Sequence, residues 1–168
     1  MEEDALIGFH RRFEENYVHG YVVALGAKFF VVALVNDRIR YDGFECFRIS
    51  DIKGLEYARN APFVEAALKA RREVRPSCKL DATSLETLLV SVRAAFLLVA
   101  IHQEKLDRDI CWIGRILAVN RRSVSIMEIN PDATWRDEPS QYELKSITRV
   151  NFDGDYERAL HLVGGNPA

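Results

Sequence analysis

Apolar and polar positions alternate along most of this chain in short runs, and one run is written twice. In FRISDIKGLEY (47–57) the apolar skeleton is Phe47, Ile49, Ile52, Leu55 and Tyr57. In YELKSITRVNF (142–152) it is Tyr142, Leu144, Ile147, Val150 and Phe152. Each residue of the second set lies 95 positions after its counterpart, as 142 does after 47 and 152 after 57. A step of two puts alternate residues on one face of a strand. Steps of three fit a single tight 3₁₀-like turn. The spacing predicts strand, tight turn, strand, with all five residues of each set pointing into a core.

The repetition extends in both directions. GYVVALGAKFFVVALVN from Gly20 and GRILAVNRRSVSIMEIN from Gly114 align at an offset of 94. Gly26–Ala27 and Asn120–Arg121 fall where two apolar runs meet, which reads as a hairpin turn. Further up, ALIGFHRRF and FLLVAIHQE align His10 with His102. Downstream, each copy runs into a helix. Asn60 caps the first, with Pro62 in its first turn and Val64, Ala67 and Leu68 on one face. Asp155 caps the second, with Tyr156, Ala159, Leu160 and Val163 as its stripe. Between the copies lie EVRPSCKLDAT and a helix at about 83–96. Thr83 and Glu86 are placed as its capping box, and Leu85, Leu88, Leu89, Val92 and Phe96 as its apolar face.

These patterns give a mainly β fold with flanking helices: two tandem five-stranded small barrels, each followed by a short helix. The divisions are 1–75 (first barrel and helix) and 76–168 (linker, helix, second barrel and helix). A unit of about 70 residues buries only about 60% of its unfolded surface. The helices and a contact between the halves are expected to complete the core.

FECFRISDIKGLEY, CWIGRILAVNRRSVSIMEINPDATW and YELKSITRVNF carry a resemblance to the Sm-like and SH3-like small barrels, and over nearly the whole chain to a bacterial protein family built from two such barrels. The resemblance implies an internal duplication. It implies no activity. Sm proteins bind RNA through motifs ending near Ile-Arg-Gly, where this chain reads Phe47-Arg48-Ile49-Ser50 and Tyr142-Glu143-Leu144-Lys145.

Composition narrows the class. Of 168 residues, 48% are hydrophobic and 29% charged, which excludes wholesale disorder. A net charge of −2 gives no global attraction to nucleic acid or an anionic membrane. Cys46, Cys78 and Cys111 are far apart, which fits a reducing compartment rather than a disulfide framework or structural zinc. MEEDALIG lacks the order of a signal peptide, and the apolar run AAFLLVAI is too short to span a bilayer. The expected location is cytoplasmic.

Candidate chemistry is sparse. The sequence has no HExxH, GxSxG, GxGxxG or P-loop signature, so no catalytic residue, metal ligand or cofactor is assigned and a non-enzyme is expected. His10 and His102 are out of phase with their apolar neighbours, which places both on a polar face. Cys46 and Cys111 read as small core residues. Asp132, Asp137 and Glu138 read as a solvated turn. Two equivalent loops pair an aromatic with an arginine, Arg40–Tyr41 and Trp135–Arg136, the residue types of a protein-binding hot spot. The alternative is that each ring folds back to close its own barrel. Basic residues gather at Lys69, Arg71, Arg72 and Arg75, at Arg11–Arg12, and at Arg121 and Arg122, the candidate sites for phosphate contacts. The expected function is a binding or scaffold module with a protein partner, homo-oligomer included. The alternative is an RNA- or DNA-associated protein using the basic linker.

Overall fold

The computed structural model describes residues 5–167. Its first half runs β1 (Leu6–Arg11), β2 (Glu14–Leu25), β3 (Phe29–Val35), β4 (Tyr41–Arg48), β5 (Ile52–Tyr57) and helix α1 (Ala61–Ala70). The second half runs α2 (Leu85–Ala95), β6 (Val99–His102), β7 (Cys111–Val119), β8 (Ser123–Glu128), β9 (Ser140–Glu143), β10 (Arg149–Phe152) and α3 (Asp155–Gly164). A 3₁₀ turn separates β4 from β5, and another separates β9 from β10, as the steps of three require.

The protein is mainly β. All ten strands form one antiparallel sheet in the order β5-β1-β2-β3-β4-β10-β6-β7-β8-β9. Each half contributes five neighbours in the same internal order, and their registers correspond. Gly20 lies opposite Ile7 and Gly114 opposite Val99; Leu55 lies opposite Phe9 and Val150 opposite Ile101; Phe29 lies opposite Arg48 and Ser123 opposite Glu143. The halves are not closed barrels. Within each half the last two strands do not pair with each other, and β4 pairs instead with β10 of the other half.

That pairing places the main core across both halves. Val31, Ala33, Phe44 and Cys46 pack with Val99, Ile101, Val150 and Phe152, beneath Leu85, Leu88, Leu89 and Val92 of α2. The linker residues Cys78 and Leu80 join this core. The first half keeps its own cluster around Phe9, Phe30 and Phe47, whose rings meet edge-on or tilted at 5.2–5.8 Å. Gly43, at φ +68°, is required at the junction: a Cβ there would overlap the backbone of Asp153.

Several local expectations are corrected. The five apolar residues of the second skeleton are buried, but in the first only Phe47 is fully so, and Ile49, Leu55 and Tyr57 are exposed. The N-cap of α2 is Ser84 with Thr87 in a reciprocal box, not Thr83 with Glu86. Asn60 occupies the N-cap of α1 without a side-chain cap bond, and Gly154 rather than Asp155 precedes α3. α3 buries Glu157 and Leu160 and leaves Tyr156 and Val163 exposed, because only a narrow line of the helix meets the sheet. Cys111 is exposed. His10 is exposed as expected, whereas His102 is 7% exposed, since the sheet is covered on both faces at the junction. Among the described residues no helix is long and apolar enough to cross a membrane.

Candidate functional site

The sheet has two open edges and one internal junction, and these are the features that the repeated architecture treats differently. At the junction, Phe47, Cys46, Glu45 and Phe44 of β4 lie opposite Arg149, Val150, Asn151 and Phe152 of β10. Arg48 ends β4 by donating to the carbonyls of Ile147, Leu144 and Lys145 in the turn before β10, at 2.7, 3.1 and 2.6 Å. The strand equivalent to β10 in the first half is β5. It has β1 on one side and, among the described residues, no strand on the other. Leu55 and Tyr57 are 47% and 55% exposed there, whereas their counterparts Val150 and Phe152 are 0% exposed. Backbone N–H and C=O groups along such an edge are a template for another strand.

Beside the junction lies a buried ionic cluster drawn from both halves. Arg11 of β1 is 1% exposed and donates to both oxygens of Glu104, at 3.0 and 2.6 Å, and to Glu14 at 3.1 Å. Arg149 of β10 lies 3.5 Å from Glu14 and 3.7 Å from Glu104. The Arg11 guanidinium also sits 4.6 Å over the Phe47 ring. Burial would raise the Glu104 carboxyl, but the hydrogen bonds and charge of Arg11 outweigh it and hold Glu104 below the ordinary carboxylate range. Glu45 has no such bidentate partner. Burial, only partly offset by Arg149, pushes its carboxyl up to about 7. His102 is held neutral by burial and by the charge of Arg149, down to about 3. The sequence hid this cluster, because its members are scattered from Arg11 to Arg149 and only strand pairing assembles them.

The residues singled out from the sequence are distributed as follows. Arg40, Tyr41 and Arg71 line one polar cleft of about 850 Å³ together with Arg38, Glu73 and Arg158. Arg40 faces Glu73 at 3.6 Å. Tyr41 packs beside Tyr21 on the α1 cluster, ring centroids 6.2 Å apart. Trp135 packs on Leu98, Ile129 and Leu160 and donates its indole N–H to the Gly164 carbonyl at 3.0 Å. Arg136 pairs with the buried Glu128 at 3.1 Å. Both rings therefore lie between the sheet and the helix that trails their own half. In the basic stretch, Arg71 donates to the carbonyls of Arg38 and Ile39, and Arg75 stacks 3.8 Å over the Tyr21 ring. Lys69 and Arg72 are exposed, and so are Arg121 and Arg122 in the turn between β7 and β8. Among the described residues no group of three or more His, Cys, Asp or Glu side chains is arranged to hold a metal ion.

Comparison of the chain with protein-family models, with curated proteins and with solved structures found no match.

Proposed function

We propose that this protein is a non-enzymatic binding module of two duplicated Sm-like or SH3-like units, and that a protein partner adds a β-strand to its open β5 edge. The observation that carries the reading is the contrast between equivalent positions. Leu55 and Tyr57 stand 47% and 55% exposed on a strand paired on one side, and the same positions are buried in the second half, where β4 pairs alongside and α2 joins the core they enter. Strand addition draws affinity from main-chain hydrogen bonds and specificity from alternate side chains. Leu55 and Tyr57 are alternate residues on one strand and supply that specificity. The protein reading is preferred to RNA or DNA because Arg71 and Arg75 of the basic stretch are engaged within the first half.

The test is affinity capture from the native cell with the tagged full chain and with Leu55→Lys and Tyr57→Lys variants. A protein captured by the parent chain and lost from both variants, at an unchanged melting temperature, supports the reading. A captured protein indifferent to both substitutions overturns it. So does a salt-sensitive gel shift on RNA or DNA that survives them, since phosphate-driven binding weakens steeply with salt.

A further inference from the structure

Among the described residues two strands of the sheet have a single neighbour, β5 at one end and β9 at the other. They are the counterparts of the two strands that meet at the junction. β9 pairs with β8 as β4 pairs with β3, and each runs into a 3₁₀ turn. β5 pairs with β1 as β10 pairs with β6. The chain therefore holds one finished pairing, β4 with β10, and the two separate members of a second.

We propose that the β9 edge of one copy of this chain pairs with the β5 edge of the next, head to tail, repeating between chains the pairing that β4 and β10 make within one. The inference rests on the strand-addition reading of β5 and names its occupant. Such an interface is heterologous: each copy spends two different edges, so assembly continues past two copies until it closes on itself.

The junction supplies the register. Phe47, Cys46 and Glu45 lie opposite Arg149, Val150 and Asn151. The positions 95 residues removed put Tyr142, Gln141 and Ser140 of β9 opposite Gly54, Leu55 and Glu56 of β5. One step further along the same register, Glu143 lies opposite Lys53. Both residues are exposed, and opposite charges facing each other across an antiparallel pair attract. Glu143 also pairs with Lys145 of its own chain at 2.9 Å, through one of its two oxygens. The Ser140 row exchanges the roles found at the junction. There Asn151 on the β10 side donates to Glu45 on the β4 side at 2.8 Å. Here the β9 side brings the donor, the Ser140 hydroxyl, and the β5 side brings the acceptor, Glu56, which takes the Tyr17 hydroxyl on one oxygen. Gly54 has open space where a Cβ would stand, so β5 does not crowd Tyr142. Leu55, exposed in the single chain, is covered by the methylenes of Gln141. Pro139 follows opposite Tyr57, and having no N–H it ends the ladder.

The test is light scattering behind size-exclusion chromatography on the full chain over a wide range of concentration. The mass of the parent is expected to rise past that of a dimer. Lys53→Glu and Glu143→Lys each set like charges opposite one another, and each should weaken association roughly tenfold. The double variant, and an equimolar mixture of the two single variants, restore opposite charges at every contact and should recover the parent's mass. Leu55→Lys should give chains that assemble with neither the parent's affinity nor its size. An assembly that stops at a dimer and ignores Glu143→Lys, or single variants that the double variant does not rescue, overturns the inference. A parent that stays monomeric while a foreign protein is captured through Leu55 and Tyr57 also overturns it and leaves the strand-addition reading of β5 standing. Self-association indifferent to Leu55→Lys overturns it as well, and a captured foreign protein equally indifferent takes the reading of β5 down with it.

Discussion

β5 and β10 hold corresponding places in the two halves, in two circumstances. Both follow a 3₁₀ turn, and both pair with the first strand of their own half in corresponding register. β10 also has β4 on its other side, and β5 has no second strand among the described residues. The second strand and the α2 core that comes with it are what differ, and the side chains differ with them. Arg149 and Asn151, which enter the junction's polar contacts, correspond to Gly54 and Glu56 on the free strand. Arg48, which ties β4 to the other half, corresponds to Glu143 at the opposite open edge, which pairs with Lys145. The apolar positions are apolar in both places. Whether such a position is core or surface is set by the sheet's neighbours, not by the strand's own alternation.

The sharpest way to break this comparison is to charge the equivalent positions. Val150→Asp buries an unpaired carboxylate among Ile101, Phe152 and the α2 leucines, and should cost more than about 4 kcal/mol or prevent folding. Leu55→Asp, on the free edge, should change stability by no more than about 0.5 kcal/mol. Urea denaturation of both variants decides it. Comparable losses would mean that β5 is covered in the native protein and that the two strands are not in different circumstances.

A truncation sharpens the contrast one step further in. Ile147 is 1% exposed beneath the main core, and Ile147→Ala should cost about 2–5 kcal/mol. Ile52, its counterpart, is half-buried at the margin of the first half's aromatic cluster. Ile52→Ala should cost clearly less, about 1–2 kcal/mol by the area it gives up. Denaturation midpoints that fall equally would place Ile52 in a core as complete as that of Ile147.

The repeat was legible because its spacing encodes local geometry: alternate burial, a one-turn break and a hairpin leave the same marks in any half. The order of strands within each half and the tight turns followed from it. The joining of the halves did not, because nothing in FRISDIKGLEY distinguishes a strand that gains a second neighbour from one that does not. That is why Leu55 and Tyr57 read as core. His102 failed for the opposite reason. Alternation assigned it to a polar face, but every residue of β6 is buried. The ionic cluster was beyond reach, since Arg11 and Glu104 are 93 positions apart and carry no spacing signal.

The subtlest difference between junction and open edge is electrostatic. Glu45 on β4 corresponds to Ser140 on β9, so a buried carboxyl stands where the free edge has a neutral hydroxyl. Burial raises the Glu45 carboxyl to about 7 from an ordinary value of 4.5, so the folded protein holds a proton that the unfolded chain has already released. The protonated form therefore stabilises the fold below about pH 4.5, and that contribution is lost as pH rises through 7. His102 acts at the other end. It stays neutral down to about pH 3 while the unfolded imidazole takes up a proton near 6.5, so stability also falls as pH drops below that value. Glu45→Gln keeps the oxygen that accepts from Asn151 and removes the alkaline loss alone. The variant should match the parent near pH 5 and exceed it by roughly 2–3 kcal/mol at pH 8, with the acid-side decline unchanged. Ser140→Ala should show no pH-dependent difference. Chemical denaturation of all three chains across pH 4–9 measures this, and a Glu45→Gln effect that is flat with pH would show that the junction carboxyl is ionised and compensated in the fold.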